Sequence, residues 1–385
     1  MDKLYYGRQY IDEDDCAAVR EVLLGDFLTT GPKINELESR LCELTGAKYA
    51  VAVANGTAAL HAACFAAGIS SGDEVITTPM TFAASSNCVL YCGGKPVFAD
   101  IEPDTYNISP KEVEALVTPQ TKAVIAVDYT GQAAKYDELH DICKRYGLVL
   151  IGDSAHSIGT KYNGKSIGNV ADMTTFSFHP VKTVTGGEGG AILTNNKEQY
   201  DKLMLFRTHG ITRDMAQMEY PTDDPWYYEQ TELGFNYRLT DFQAALIISQ
   251  LNKLDMFATR RKEIVKRYNE AFSDLPGIII QQEIPQSSTV RHLYVIQLNI
   301  EILRCTRREF FDAMAEKGII CNVHYIPVYY HPYYRRLGYE KGLCPVAERV
   351  YEGILSLPLY YSLRDEDVER VIAAVRETAN QNGKH

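Results

Sequence analysis

The chain has no long apolar run, and it is poor in basic residues. None of its apolar runs approaches the roughly 18–20 residues that a membrane-spanning helix requires, so we expect no membrane partner. The N-terminal stretch MDKLYYGRQYIDEDD contains no apolar signal core. The 39 Lys and Arg residues against 50 Asp and Glu give a formal net charge of −11. A general nucleic-acid binder needs a basic face, so that class is excluded, whereas an anionic small substrate needs only a few local cations.

The chain also lacks the cysteine patterns of metal sites. Its nine cysteines include no CxxC pair and no cluster with zinc-ligand spacing, so no metal is predicted. Several lie among apolar residues, such as Cys64 in AACFAAG. We therefore interpret the cysteines as small buried hydrophobic residues of a cytoplasmic protein, where thiols stay reduced.

The order of predicted elements indicates an α/β fold. Strand-like and helical segments alternate, which predicts a mostly parallel, doubly wound sheet over about residues 48–195. The predicted strands are 48–54, 74–78, 96–99, 122–127, 148–152, 173–178 and 191–194. Helices are predicted at 33–46, after Asn55-Gly56-Thr57, and at 111–117, 135–146, 240–254, 260–274, 307–317 and 365–378. From these we predict a large domain, residues 1–255, and a smaller C-terminal α+β domain, residues 256–385.

The segment FSFHPVKTVTGGEGG, residues 176–190, holds one lysine, Lys182, between a strand and four glycines. Pro180 fixes one dihedral angle, and the glycines permit positive φ and close approach. Schiff-base chemistry needs an amine that is held in place and whose pKa can be lowered. The alternative interpretation is a glycine-rich turn that carries a solvated lysine.

A turn at the end of the predicted strand 48–54 has the features of a phosphate site. Gly56, Thr57 and Ala58 begin a helix there, so their N–H groups and the helix dipole would hold a phosphate, with the Thr57 hydroxyl adding a donor. Ser177 would add a second hydroxyl. Alternatively, Thr57 is only the N-cap of the helix.

Other polar and aromatic residues also follow strands, where open α/β sheets bind ligands. Asp153 would keep the pyridine nitrogen of pyridoxal 5'-phosphate (PLP) protonated, or it caps the next loop. His156 would reach the phenolic oxygen of PLP or simply pack, and Phe82 would stack on the ring or belong to the core. The order of phosphate turn, aromatic, aspartate, serine and lysine is that of a fold-type I PLP-dependent transferase, so we predict PLP as the cofactor.

With these residues in view, the chain resembles the DegT/DnrJ/EryC1/StrS family of sugar aminotransferases from GRQYIDEDD to LSLPLY. The resemblance implies that Lys182 forms the Schiff base with PLP and that Asp153 pairs with the pyridinium. It implies Phe82 as the stacking ring and Gly56, Thr57, Ala58 and Ser177 as the phosphate cup.

Two further segments carry the resemblance. LGFNYRLTDFQAAL, residues 233–246, places Asn236 where the family reaches the cofactor phosphate of the neighbouring subunit, with Arg238 nearby. An obligate homodimer with shared active sites is therefore implied. VHYIPVYYHPYY, residues 323–334, resembles the family's sugar-nucleotide-contacting segment. The candidate contacts to the anionic substrate are Arg8, Arg238, His324, Tyr325 and His331.

Within the family, the chain is most similar to the transaminases of pseudaminic acid biosynthesis. The pointers are FSFHPVK, THGITRD, PWYYEQTELGFNYR, and His156 in place of the commoner glutamine. The implied reaction is ping-pong: L-glutamate leaves as 2-oxoglutarate, and C4 of a UDP-linked 4-keto-6-deoxy-N-acetylhexosamine is aminated. The implied product is UDP-4-amino-4,6-dideoxy-N-acetyl-β-L-altrosamine.

Two residues depart from the family pattern. Gly186 stands where the family loop usually reads TTGEGG, and Arg291 replaces a tryptophan before HLY, so we expect changes in fine substrate contacts.

Two alternative functions stay open. One is amination of another nucleotide-linked 3-keto or 4-keto sugar, and the other is a non-catalytic PLP-binding sensor, against which Lys182 and Asp153 argue.

Overall fold

The computed structural model describes residues 2–383. The strands are β1 (Leu4–Tyr5), β2 (Tyr49–Val53), β3 (Glu74–Thr77), β4 (Lys95–Phe98), β5 (Thr121–Val127), β6 (Val149–Asp153), β7 (Lys161–Tyr162), β8 (Lys165–Ser166), β9 (Met173–Ser177), β10 (Gly190–Thr194), β11 (Ile211–Thr212), β12 (Glu229–Gln230), β13 (Ile278–Ile280), β14 (Ser287–Ser288), β15 (Tyr294–Leu298), β16 (Ile319–Ile320) and β17 (Ile354–Leu357). The α-helices are α1 (Glu13–Leu23), α2 (Pro32–Thr45), α3 (Gly56–Ala66), α4 (Ala84–Tyr91), α5 (Pro110–Ala115), α6 (Tyr136–Tyr146), α7 (Lys197–Arg207), α8 (Asp241–Leu251), α9 (Leu254–Phe272), α10 (Arg307–Glu316), α11 (Pro332–Arg336), α12 (Pro345–Gly353) and α13 (Asp365–Gln381).

A seven-stranded sheet organises the first two hundred residues or so, in the order β2-β10-β9-β6-β5-β3-β4. The neighbours from β9 to β4 pair in parallel, whereas β10 is antiparallel to both β2 and β9. The predicted α/β fold with a mostly parallel sheet is confirmed. β10 reverses direction because the loop of residues 178–189, which contains Lys182, returns the chain directly beside β9 without a crossover helix.

Both faces of this sheet are buried. In β6, Leu150 packs into one apolar cluster, with Leu41 of α2 and Leu139 of α6. The next residue, Ile151, packs into a second cluster on the opposite face, with Leu203 of α7. Because successive strand residues point to opposite faces, the near-continuous apolar strands of this chain require helices on both sides.

The C-terminal part has its own small sheet and core. β13, β15 and β17 form a three-stranded antiparallel sheet, and the apolar residues of α9, α10 and α13 pack with it. The N-terminal strand β1 pairs in parallel with β16, and Leu4 joins this C-terminal core. The predicted boundary between residues 255 and 256 falls just inside α9, and the division into domains stays a prediction.

Two expectations about local structure were wrong. The helix predicted at 260–274 begins earlier, at Leu254, and only Asn252 and Lys253 separate it from α8. Cys16 is exposed rather than buried, since the face of α1 that packs inward carries Asp15 and Val22. Within residues 2–383, no helix combines the length and apolar character needed to cross a membrane.

Candidate active site

A cavity of about 880 Å³ lies at the carboxyl ends of the parallel strands. Ten of the predicted site residues line it, namely Gly56, Thr57, Ala58, Phe82, Asp153, His156, Ser177, Lys182, His324 and Tyr325. The strand-end argument therefore located the cavity correctly. The described residues contain no cluster of three or more His, Cys, Asp or Glu that could hold a metal ion.

Lys182 enters the cavity from the loop between β9 and β10. The loop is closed by backbone hydrogen bonds from Phe178 N to Gly189 O (2.8 Å) and from Gly186 N to Phe178 O (2.9 Å). Burial lowers the pKa of Lys182 to about 8, and the nearby charge of Asp153 opposes this shift. About a tenth of the amine is therefore neutral at pH 7, far more than in an ordinary lysine, and Lys182 is not the solvated lysine of the alternative interpretation.

Asp153 ends β6 and is only 5% exposed. Its Oδ2 accepts a hydrogen bond from Ser85 Oγ at 2.6 Å, and its Oδ1 accepts one from Ala155 N at 3.3 Å. Burial raises the pKa of Asp153, while these donors and the charge of Lys182 oppose the rise. Such a carboxylate is suited to pair with a cationic partner in the cavity. Sequence reasoning missed Ser85, whose only signal was its place near the start of the helix after β3.

Three histidines and a tyrosine form one wall of the cavity. His156 Nε2 lies 3.0 Å from Tyr325 Oη, and its ring centroid is 4.7 Å from that of His292. Burial lowers the pKa of His156 and of His292 well below the usual range, and it lowers that of His324 to about 4. The wall is therefore built from neutral imidazoles. His292 was missed because, in the sequence, it is simply the residue before the apolar strand LYVIQL.

The first turn of α3 has the geometry of an anion site. Asn55, not Thr57, is the N-cap, because its side chain accepts the Ala58 N–H at 2.8 Å; the N-cap alternative for Thr57 is wrong. The Thr57 hydroxyl has no hydrogen-bond partner among residues 2–383. A Cβ on Gly56 would lie 2.9 Å from Ser177 Cβ, so this close approach of α3 to β9 requires glycine. These features fit a phosphate dianion.

Phe82 is 64% exposed and lines the cavity, so the alternative that it belongs to the core is wrong. A ring that is open on one face at a cavity wall is suited to stack on a planar aromatic ligand. Together with Asp153, Lys182 and the anion site, it makes a set that fits the ring, the carbonyl group and the phosphate of PLP.

The structure leaves four predicted contact residues outside this cavity. Asn236 and Arg238 are exposed and half-buried, respectively, although Tyr237 between them lines the cavity. His331 stands at the N-terminus of α11, away from the lining. Arg8 lines a separate, much smaller pocket on another side of Lys182. None of these four therefore lines the larger cavity of its own chain, although Arg8 shares the smaller pocket with Lys182.

The two departures from the family pattern face packed structure and not the cavity. A Cβ on Gly186 would lie 2.6 Å from Ile247 Cγ1 of α8. Arg291 is buried, and its guanidinium donates to Thr130 Oγ1 at 2.7 Å and to the Gln281 side chain. Neither residue lines the cavity, so the expected effect of these two positions on direct substrate contacts is not supported.

Comparison with known proteins agrees with this geometry. The model of the DegT/DnrJ/EryC1/StrS aminotransferase family matches residues 9–376. The chain belongs to this family. The spore coat polysaccharide biosynthesis protein SpsC of Bacillus subtilis is 40% identical over 376 residues, which cover 97% of this chain and 96% of SpsC.

Solved structures give the same result for the fold and the cofactor. PseC of Helicobacter pylori, an aminotransferase involved in the biosynthesis of pseudaminic acid, superposes with a TM-score of 0.91 at 32% identity, covering 99% of this chain and 100% of PseC. Spr1654 of Streptococcus pneumoniae, named a putative sugar aminotransferase, has been solved in a PLP form and superposes with a TM-score of 0.91 at 29% identity, over 98% of this chain and 99% of Spr1654. The predicted fold type and the prediction of PLP as the family's cofactor are confirmed.

Proposed function

We propose that the chain transfers an amino group from L-glutamate to C4 of a UDP-linked 4-keto-6-deoxy-N-acetylhexosamine. The observation that carries this proposal is Lys182, a half-buried amine with a lowered pKa, in one cavity with Asp153 and the anion site of α3. The choice of this sugar draws on the similarity to PseC and on His156. The protein's nine free thiols support a cytoplasmic location.

The residues of the chain divide the work by position. PLP, when bound, supplies an electron sink for the carbon that loses or gains the amino group. The N–H groups of the first turn of α3, with the Thr57 and Ser177 hydroxyls, would bind its phosphate. Phe82 would cover its ring, and His156 would face its phenolic oxygen.

Two residues would handle protons. Asp153 would hold a proton on the ring nitrogen, because an ionised carboxylate in a buried site stabilises a charged partner. Lys182 Nζ would take the proton from Cα of glutamate and pass it to the carbonyl carbon of PLP; in the second half-reaction it would move a proton from that carbon to C4 of the sugar. For that task, a pKa near the working pH is the most effective.

A second candidate is amination of another nucleotide-linked 3-keto or 4-keto sugar. The observation that favours it is the 40% identity to SpsC, against 32% to PseC. Which sugar an enzyme accepts depends on the residues that contact the sugar's hydroxyl groups. The cavity of one chain does not include the predicted contact residues Arg238 and His331.

We also propose that two copies of this chain share their active sites. The charged residues that line the cavity are Asp153, Lys182 and Glu188, so one chain gives it no excess of positive charge. A cofactor phosphate, a dicarboxylate donor and a nucleotide all need cations. Asn236 and Arg238 lie outside the cavity of their own chain, on a segment where Leu233 is 76% exposed. Their placement suits contact with the cavity of a second copy.

The test uses the purified holoenzyme with glutamate and a panel of UDP- and dTDP-linked 3-keto and 4-keto sugars. Amino products are identified by mass spectrometry and their linkage by NMR. We expect the visible cofactor band to bleach with glutamate alone and the UDP-linked 4-keto-6-deoxy-N-acetylhexosamine to be aminated at C4.

Different outcomes of this experiment test the substrate, the aminotransferase activity and the role of Lys182 separately. Preference for another keto sugar would replace the substrate and leave the aminotransferase in place. An intact band that glutamate does not bleach would indicate the non-catalytic PLP-binding alternative. Turnover by a Lys182→Ala variant would overturn the role of Lys182, whereas the matched control Lys165→Ala, on the exposed strand β8, should keep full activity.

A further inference from the structure

A second buried carboxylate, Asp128, lies directly behind the residues of the candidate site. It follows β5, whose last residue Val127 pairs with Asp153 at the end of β6. Asp128 N donates to Asp153 O at 3.1 Å, and the Asp128 side chain is fully buried. Asp128 does not line the cavity, so it touches neither cofactor nor substrate there.

The Asp128 carboxylate accepts four hydrogen bonds. Its Oδ2 receives Ser154 Oγ at 2.6 Å and Ser157 Oγ at 2.7 Å. Its Oδ1 receives Ala134 N at 3.0 Å and Tyr136 Oη at 3.1 Å. Burial raises the pKa of Asp128 to about 6 and the four donors oppose the rise, so the carboxylate is mainly ionised at neutral pH. Short bonds from hydroxyl groups to one ionised oxygen are the strong, charge-assisted kind.

The two serines that bind Asp128 are each next in sequence to a candidate site residue. Ser154 directly follows Asp153, and Ser157 directly follows His156. Ser157 N donates to Ser154 O at 3.0 Å, which closes the turn between them. One oxygen of Asp128 thus binds both ends of the turn from behind, while Asp153 and His156 reach the cavity on its other side.

We propose that Asp128 is a positioning residue that holds Asp153 and His156 in place through the hydroxyls of Ser154 and Ser157. This inference rests on the proposed roles of Asp153 and His156 toward PLP and not on the identity of the sugar. An apolar side chain at residue 128 would leave Ala134 N and the hydroxyls of Ser154 and Tyr136 without an acceptor. The Ser157 hydroxyl would keep only its longer bond to Ser154 O at 3.4 Å, and the turn would shift to satisfy these donors.

The chain offers a matched control in Asp100. It is another buried aspartate just beyond a strand of the same sheet, β4, and it accepts the backbone N–H groups of Ile101, Val346 and Ala347. None of these three partners lines the cavity. Loss of this carboxylate therefore reports the stability cost of a buried aspartate without a change at the candidate site.

The experiment compares wild type with Asp128→Ala, Asp128→Asn and Asp100→Ala. For each protein we would measure thermal unfolding, the dissociation constant of pyridoxal phosphate for the apoenzyme, and the pH midpoint of the visible band of the holoenzyme. The last two report the surroundings of the cofactor without any turnover.

We expect Asp128→Ala to weaken pyridoxal phosphate binding by at least about 10-fold and to move the pH midpoint, because an unsatisfied network displaces the turn. Asp128→Asn should stay within about 3-fold of wild type, since the amide keeps one acceptor and the serine hydroxyls can rotate to accept from it. Asp100→Ala should lower only the unfolding temperature.

A wild-type pH midpoint and affinity in Asp128→Ala would overturn the inference, as would equal changes in Asp100→Ala. If Asp128→Ala does not fold, a Ser154→Ala/Ser157→Ala double variant removes the same two hydrogen bonds to Asp128. It is then judged by the same two measurements, cofactor affinity and pH midpoint. A wild-type protein that binds no pyridoxal phosphate would overturn the proposed function, and this inference with it.

Discussion

At the scale of single residues, the main effect of the fold on Lys182 is to lower the pKa of its amine. Burial lowers the pKa of the Lys182 amine to about 8, because the charged form loses its water. The charge of Asp153 favours the ammonium form but does not cancel the effect. An ordinary lysine, with a pKa of about 10.4, would hold only a trace of the neutral amine at pH 7.

This shift predicts how the apoenzyme captures pyridoxal phosphate. The neutral amine is the reactive form, so the rate of capture should rise about 10-fold from pH 7 to pH 9 and then level off. Stopped-flow absorbance would follow the reaction, with Lys182→Ala reporting the contribution of surface lysines. A rate that still climbs steeply above pH 10 would show that Lys182 has an ordinary pKa.

Gly56 gives a second prediction at this scale. A Cβ there would lie 2.9 Å from Ser177 Cβ and 3.1 Å from Ser177 Oγ, so Gly56→Ala should destabilise the protein by about 1–3 kcal/mol. It should also weaken cofactor binding, since it opens the anion site. Urea denaturation and cofactor titration would measure both effects.

A double variant separates the loss of stability from the loss of cofactor binding. In Gly56→Ala/Ser177→Gly, the nearest side-chain atoms are gone, so most of the stability should return, whereas cofactor affinity should stay low because the Ser177 hydroxyl is lost. Equal costs of Gly56→Ala with and without Ser177 would rule out the steric explanation.

Sequence reasoning found residues that follow strands and line the cavity, and it missed residues whose contacts are distant in the sequence. Asp153 and Lys182 were predictable, because they follow strands in the chain order of a recognisable set: phosphate turn, aromatic residue, aspartate, serine and lysine. Ser85 and Asp128 were not. Ser85 bonds a residue 68 positions away, and Asp128 reads as one more strand-end polar residue until its four donors are seen.

At the scale of elements, helix α8 supports the loop that carries Lys182. The helix predicted from residue 240 opens with a capping box, in which Gln243 Oε1 accepts the Thr240 N–H at 3.3 Å and the Thr240 hydroxyl at 2.6 Å. Gln243 Nε2 also donates to Glu188 O at 3.3 Å, which joins the helix start to the glycine-rich loop. The capping signal is local and was readable, whereas the start of α9 was hidden in continuous helix-compatible sequence.

Contact between this loop and α8 explains Gly186. A Cβ there would lie 2.6 Å from Ile247 Cγ1 and 2.8 Å from Glu188 O, so Gly186→Ala should cost about 1–3 kcal/mol of stability. Because residue 186 does not line the cavity, the ranking of keto-sugar substrates should not change. Chemical denaturation and the substrate panel would measure these outcomes.

A double-mutant cycle with Ile247→Ala tests the cause. If the clash is with Ile247, Gly186→Ala should cost less in the Ile247→Ala background than in wild type. A changed substrate ranking would instead mean that the loop shifts toward the cavity and that Gly186 acts on specificity.

At the scale of the whole molecule, the acidic charge of the chain raises the question of how anions are bound. The net charge is −11, and the charged groups that line the cavity are two carboxylates and one amine. Large apolar side chains are exposed on the segment before Asn236, with Trp226 at 72%. A second copy that covers this segment would bury those side chains and would bring Arg238 to the site it completes.

Shared sites predict that two inactive variants restore activity when mixed. Lys182→Ala and Arg238→Ala damage the same site from different chains, so a mixed dimer contains one site with both residues intact. Random exchange makes half of the dimers mixed, each with one of its two sites complete, so activity should return to about one quarter of wild type. Coupled turnover after subunit exchange would measure it.

The matched control mixes Lys182→Ala with Asp153→Ala. Both residues line the cavity of the same chain, so no site in the mixed dimer is complete and activity should stay absent. Native mass spectrometry of the mixtures would establish that exchange has occurred in each. If exchange is complete and the first pair stays inactive, Arg238 serves its own chain, and the cations of the site must come from residues that approach the cavity within one subunit.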